Sequence, residues 1–388
     1  MLQNNIGKIK SDIVRLRRKK DNEVKRKSKQ VIRLFCERKY MKLKKFEGNP
    51  ILSPNKENDW ESFCVLNPAV VFDEIKNEFV MVYRAAGNDA KHLMSLGIAT
   101  SKDGIHFTRA SNKPVLEGDP KGEDTAGPED PRIVKMGDAY FLTYAARGYY
   151  AGRYWLTFED RFGPNSGCPY EKAPDVGPSF LTNRSTVSYL AYSRDLYNWK
   201  RLGRITDSRF DNRDVVIFPE KIKGKFYKIE RPYCDGPNPS IWISSSNDLM
   251  EWEAPSLLYK VGQEEWETER IGAGCPPLKT EKGWLLLYHG VNIKDHKYRI
   301  GFMLLDLNNP KKIIAKTKNY VMEPEESYES SEMYPGCVFP TGWVNKDDVL
   351  YIYYGCGDKY VSLATTTIPE ILEELSLATN QYKGGNEK

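Results

Sequence analysis

Several common carriers of chemistry are missing from this 388-residue chain. No Gly-rich loop follows an apolar run in the pattern that cradles phosphates, and no Gly-x-Ser-x-Gly elbow occurs. The four histidines, at 92, 106, 289 and 296, do not fall at metal-ligand spacing. Seven cysteines (36, 64, 168, 234, 275, 337 and 356) are odd in number, scattered, and include no Cys-x-x-Cys pair. That pattern suggests neither a disulfide framework nor a cysteine-rich zinc site, and no metal or other cofactor is expected. No run approaches the roughly 18 apolar residues of a membrane span, and the N-terminus is too charged for a secretory signal. A reducing compartment, the cytoplasm, is the expected location, with no membrane partner.

What the chain does have is aromatic residues, 24 Tyr, 15 Phe and 8 Trp, which favour strands. Its charge is uneven. Residues 1 to 45 hold 17 of the 58 Lys+Arg but only 4 of the 53 Asp+Glu, so the rest is net acidic. This stretch contains no Gly or Pro after Gly7, and Ile9, Ile13, Leu16, Val24, Val31 and Leu34 recur among its charges. We expect a basic helical extension over 1–46 that covers its apolar positions against another copy of the chain. A solvated helix face accounts for its charge, and no nucleic acid is expected. From Gly48-Asn49-Pro50 the texture changes to short aromatic strands between Gly, Asn and Asp turns, through about residue 376. A short helix is expected near Ile368–Leu375, and a polar tail over 377–388.

Within 47–376 a repeat is legible. An X-Pro entrance leads an apolar strand five times, with prolines at 68, 131, 219, 277 and 340. The intervals are 63, 88, 58 and 63 residues, with an insertion in the second. A second strand follows each entrance: Phe79 to Arg84, Tyr140 to Ala145, Phe226 to Glu230, Trp284 to His289, and Leu350 to Gly355. A third element, Ser-x-Asp-x-x-x-aromatic, recurs at Ser101, Ser193 and Ser246 and reads as an outer hairpin turn. Repeats of this length with several short strands each indicate an all-β, five-bladed β-propeller. Polar residues that break the repeat at equivalent positions, Asn67, Asp130, Arg84, Glu230 and His289, would converge at one channel mouth. Carboxylates among Trp and Tyr platforms suit sugar chemistry, in which one acid protonates the glycosidic oxygen while an opposite group supplies or activates the nucleophile.

The motifs Glu129-Asp130-Pro131-Arg132, Phe218-Pro219-Glu220-Lys221, Ile271-Gly272-Ala273-Gly274 before Cys275-Pro276-Pro277, Tyr288-His289-Gly290, and Tyr353-Tyr354-Gly355 leading to Asp358 are similar to those of a known family. Residues 45 to 375 resemble glycoside hydrolase family 130, the mannoside phosphorylases and β-mannosidases built on five-bladed propellers. The resemblance implies Asp130 as general acid and Asn67, Arg84 and Asp358 among the residues holding the sugar. It also places Glu129, Arg132, Arg231 and His289 at the substrate. Where phosphorylases read His-Arg-Pro this chain reads Glu230-Arg231-Pro232, which resembles the hydrolytic β-1,2-mannosidase branch. The expectation is an inverting exo-β-mannosidase acting on β-1,2-linked manno-oligosaccharides, with Glu230 and Glu269 activating water and Glu267 competing for the second place. The alternatives are a β-mannoside phosphorylase releasing mannose 1-phosphate, and a non-catalytic carbohydrate-binding propeller.

Overall fold

A computed structural model describes residues 40–177 and 182–383. Five antiparallel sheets follow one another along the chain, each the product of short aromatic and β-branched runs broken by polar turns. The first blade is β2 (Cys64–Asp73), β3 (Glu78–Ala86), β4 (Met94–Ser101) and β5 (Thr108–Arg109), with β6 (Leu116–Glu117) also on β4. For consistency with chain order, β1 is the strand Lys44–Lys45, which lies elsewhere in the ring. The second blade is β7 (Gly127–Met136), β8 (Ala139–Arg147), β9 (Val187–Ser193) and β10 (Lys200–Arg204). The third is β11 (Asn212–Ile217), β12 (Phe226–Pro232), β13 (Ile241–Ser246) and β14 (Ser256–Tyr259). In the fourth, β15 (Arg270–Ala273) and β16 (Leu278–Thr280) share the edge of β17 (Gly283–Val291), followed by β18 (Tyr298–Leu305) and β19 (Ile313–Lys316). The fifth holds β20 (Val338–Lys346), β21 (Val349–Cys356) and β22 (Tyr360–Thr366), and β1 pairs antiparallel with β22 as its outer strand.

The sheets make a five-bladed propeller whose core lies between blades. One apolar cluster joins Val82, Leu96 and Ile98 of the first blade to Leu142, Tyr144 and Val187 of the second. Others join the second blade to the third through Val134, Leu190, Val215 and Ile217, and the third to the fourth through Val216, Ile229, Trp284 and Leu286. The expected outer turn is present. Oγ of Ser101, Ser193 and Ser246 meets the following Asp Oδ1 at 2.8, 3.0 and 3.1 Å. That carboxylate oxygen then accepts from two backbone N–H groups, closing the tight turn after the third strand.

Three expectations need correction. The basic extension was drawn to residue 46, but Lys44–Lys45 belongs to the fifth blade; residues 1–39, where the helix and its self-association were expected, lie outside the described residues. At the other end the helix runs Ile368–Lys383 and takes in part of the expected tail. Thr367 and Glu370 cap it reciprocally, through Glu370 N to Thr367 Oγ1 at 3.3 Å and Thr367 N to Glu370 Oε2 at 3.0 Å, and Ile371, Leu372 and Leu375 are buried. Finally, Pro219 is not the third-blade counterpart of Pro68 and Pro131. It lies at the opposite mouth of the channel, and the equivalent entrance is Asp214-Val215.

Candidate active site

The inner strands do not run straight to the channel mouth. Their ladders slip between Leu66 and Ala69, between Glu129 and Arg132, between Arg213 and Val216, and between Pro340 and Gly342. In the first three bulges one residue takes the left-handed conformation: Asn67 (φ 46°), Asp130 (φ 50°) and Asp214 (φ 55°). Asn and Asp tolerate this backbone better than other side-chain-bearing residues, because a short polar side chain can bond locally. The kink brings the three onto one cavity of about 240 Å³, which Asp358 (φ 54°) also lines. Close approach is built in from the neighbouring blades. A Cβ on Gly355 would lie 1.9 Å from Asn67 Oδ1, and one on Gly272 would lie 2.1 Å from Asp214 Oδ2.

Asp130 Oδ1 accepts from Asn67 Nδ2 at 2.6 Å and from Arg84 Nη1 at 2.8 Å, and its backbone carbonyl accepts from Arg132 Nη1 at 2.9 Å. Burial pushes this carboxyl up, but Arg84, Arg132 and the Asn67 hydrogen bond outweigh it and bring it down to about 2. Asp358 is shifted the other way. Burial raises it, and Asp130 and Glu129 add to the rise, against Arg84 and the Tyr154 hydroxyl that donates to its Oδ2 at 2.6 Å. Tyr154 comes from the insertion between β8 and β9, so that excursion contributes a wall of the site.

Glu129, 1% exposed, is the anchor for cations. Its Oε1 pairs with Arg84 Nη2 at 3.3 Å and with Arg147 Nη2, and its Oε2 lies 3.7 Å from Arg213 Nη1. The remaining nitrogens of Arg147, Nε and Nη1, are buried and have no hydrogen-bond partner among the described residues. Arg213 and Arg231 line the same cavity, with Tyr298, Tyr334 and Phe339. The Tyr298 hydroxyl accepts from Arg270 Nε at 3.3 Å and Nη2 at 3.2 Å.

Of the residues expected at the substrate, Asn67, Arg84, Glu129, Asp130, Arg231 and Asp358 line this cavity. Arg132 and His289 stand behind its wall. The His289 ring is fully buried against Phe339 and Tyr298, at 4.8 and 5.3 Å between centroids, and burial holds it down at about 3, hence neutral, despite Asp214.

The proposed water-activating pair is not assembled. Glu230 is on the other face of β12 from Arg231 and turns toward the crevice between the second and third blades. There Ser244 Oγ (2.9 Å), Asn212 Nδ2 (2.7 Å) and Lys228 Nζ (2.8 Å) donate to it. Glu269 is held by Arg270 and by His296 Nδ1 at 2.6 Å, behind Tyr298 and Tyr334. Its competitor Glu267 is fully buried, accepts from Tyr259 (2.5 Å) and Tyr288 (3.0 Å), and is raised by burial. None of the three reaches the cavity.

Sequence reading missed Asp214, Arg147, Arg213 and the tyrosines. Arg147 ends β8 two residues beyond the position equivalent to Arg84, so the repeat did not mark it, and Asp214 lacked the proline that marked its counterparts.

The family model described as beta-1,4-mannooligosaccharide phosphorylase, glycoside hydrolase family 130, matches residues 39–162 and 181–377. A 1,2-beta-oligomannan phosphorylase of Thermoanaerobacter sp. (strain X514) is 35% identical over 336 residues, 85% of this chain and 99% of that protein. The structure of beta-1,2-mannobiose phosphorylase from Listeria innocua in complex with beta-1,2-mannobiose superimposes with a TM-score of 0.70 at 27% identity, over 87% of this chain and 100% of that one. Another structure, described with glycoside hydrolases of the family that target beta-1,2 mannosidic linkages in Candida mannan, has a TM-score of 0.67. It covers 86% of this chain and 96% of that one, but at 24% identity it shows the fold alone. The chain belongs to glycoside hydrolase family 130.

Proposed function

We propose that this protein is an inverting β-mannoside phosphorylase acting on β-1,2-linked manno-oligosaccharides, and not the hydrolase expected from Glu230. The observation that carries this reading is Arg147, which lines the cavity with Arg213 and Arg231 and whose buried Nε and Nη1 have no acceptor among the described residues. Buried polar groups ordinarily find partners, and guanidinium groups suit phosphate oxygens in paired hydrogen bonds. A water-activating carboxylate pair is not at hand, because Glu230 and Glu269 are engaged elsewhere. The relatives described as β-1,2-mannoside phosphorylases support the same choice.

In this reading a phosphate oxygen attacks the anomeric carbon from the face opposite the glycosidic oxygen. The bond from that carbon to the leaving oxygen breaks, the leaving oxygen takes a proton from Asp130, and mannose 1-phosphate leaves with inverted configuration. Asp130 Oδ1 is occupied by Asn67 and Arg84, so Oδ2 is the oxygen that delivers the proton. Arg84, Arg132 and Asn67 favour the ionised form of Asp130; a phosphate dianion beside it favours its protonated form. Asn67, Asp358 and Tyr154 hold the sugar, and Glu129 fixes Arg84, Arg147 and Arg213 in place.

The test is incubation with β-1,2-mannobiose with and without inorganic phosphate, with products followed by proton NMR. Turnover only with phosphate, giving α-mannose 1-phosphate, is expected. Release of free mannose at an undiminished rate without phosphate would overturn the reading in favour of hydrolysis.

A further inference from the structure

Asp214 occupies the same point of the third blade as Asn67 and Asp130 do in the first two, inside a bulge and left-handed, yet no motif drew attention to it. Its surroundings come from three blades. Oδ1 accepts from Arg132 Nη2 at 3.2 Å, and the same guanidinium holds the Asp130 carbonyl through Nη1. Oδ2 lies 2.5 Å from Nε of Arg231, an ion pair out of line for a hydrogen bond, and 3.5 Å from His289 Nε2. The residue is 2% exposed. From the fourth blade, Gly272 supplies the space that the carboxylate fills.

Besides this ion pair, the buried Arg231 donates from Nη1 to Tyr233 OH at 3.4 Å, and Tyr233 is itself exposed. A long guanidinium side chain left to one weak contact would sample several rotamers; one clamped by a buried carboxylate presents its remaining N–H groups in one direction. Burial raises the Asp214 carboxyl, but the Arg231 and Arg132 guanidinium groups outweigh this and lower it, so the clamp is an anion at neutral pH.

We propose that Asp214 is a positioning residue for the reaction: it orients Arg231 to receive phosphate and, through Arg132, ties that grip to the backbone segment that carries Asp130. This inference rests on the phosphorolytic reading above.

The experiment is steady-state kinetics on Asp214→Asn, with phosphate and β-1,2-mannobiose varied separately. Asparagine is nearly isosteric and accepts the left-handed backbone, while the charge is lost. KM for phosphate is expected to rise about tenfold or more, with KM for mannobiose and kcat at saturating phosphate within about threefold of the parent. A purely structural role would not produce that split.

Arg231→Lys and the double variant complete a cycle. Because Asp214 acts through Arg231, the double variant is expected to have a phosphate KM no higher than that of Arg231→Lys alone. A phosphate KM within about twofold of the parent in Asp214→Asn overturns the proposal, as do equal losses in all constants or additive effects in the cycle. Should Asp214→Asn fail to fold by circular dichroism, Gly272→Ala carries the test. It displaces the carboxylate without removing its charge and should raise the same KM; an unchanged value there overturns the proposal. Phosphate-independent turnover by the parent enzyme would instead sink the underlying reading together with this one.

Discussion

The two mouths of the channel are formed by the same inner strands and differ in almost every chemical respect. At one, Asn67, Asp130, Asp214 and Asp358 meet four arginines. At the other, a cavity of about 300 Å³ is walled by Val70, Phe72, Val134, Pro277, Trp343 and Val344, with Lys135 and Lys279 at its edge. Asp130 and Val134 are four residues apart, about 13 Å along a strand. The difference between them is backbone pairing. Below the bulge the strands keep their ladders, and side chains alternate regularly between neighbouring blades. At the bulge the ladder is interrupted, and a residue that would have faced a neighbour turns into the channel. The bulged ends of the inner strands thus supply carboxylates and an amide to the polar cavity, and the regular remainder supplies the packing between blades.

That division can be broken by substitution. The largest effect on activity is expected for Asp130→Asn, a loss of about 10²- to 10⁴-fold in rate, the usual worth of a positioned acid. Its fold should survive, since asparagine keeps the left-handed backbone. The same residue gives a pH test. Its carboxyl lies near 2, below the usual value of about 3.9. Its contribution to stability is therefore present above about pH 4 and lost as pH falls toward 2, and the asparagine variant should lack that portion of acid destabilisation in denaturant titrations. Retention of full rate by this variant would dissolve the assignment of chemistry to the bulged mouth.

Next in size is Arg147→Met, expected to raise the phosphate KM by about 10- to 100-fold with little change in mannobiose affinity, in an initial-rate analysis. Glu230→Gln sharpens the comparison from a third place, the crevice between blades. Removing one partner of the buried pair with Lys228 should cost about 3–5 kcal/mol of stability in urea titration. The kinetic constants of the folded fraction should stay within about threefold of the parent. Loss of turnover with stability intact would restore Glu230 to the chemistry. The smallest effect is expected at the apolar mouth, where Val70→Ala should lower stability by about 1–2 kcal/mol and leave both KM values and kcat unchanged.

The propeller was readable because prolines happen to mark several bulges, at Pro68, Pro131 and Pro340, and because the Ser-x-Asp turn recurs with the outer strands. Where that marker fails, so did the reading. The third bulge carries Val215 after Asp214, and the X-Pro pattern falls instead at Pro219, two residues beyond the end of β11. The position of Glu230 away from the polar cavity has a different physical origin. Residues 230 and 231 are adjacent in a strand, and adjacent side chains point to opposite faces. A motif match locates the pair but not the face, which is set by the packing of Ile229 toward the fourth blade and of Lys228 under Ile205 and Trp252. Asn67, Arg84 and Asp358 were recoverable as residues lining the cavity because each stands near the end of a strand that the repeat made legible. Tyr154 was not, because its hydroxyl reaches Asp358 from an insertion with no counterpart in the other blades.

The closing strand β1 bears on how this protein comes to be made. Lys44 pairs with Thr365, so the ring is completed between segments about 320 residues apart. On a ribosome adding roughly 5–20 residues per second, the early strand waits some tens of seconds for its partner to be synthesised. Until then the first blade has no fifth blade to cover Val70, Met81 and Tyr83, which are buried against it in the finished ring. Apolar surface of this kind is what chaperones bind, so the nascent chain should be most vulnerable to aggregation late in its synthesis, when four blades exist and the last is still missing.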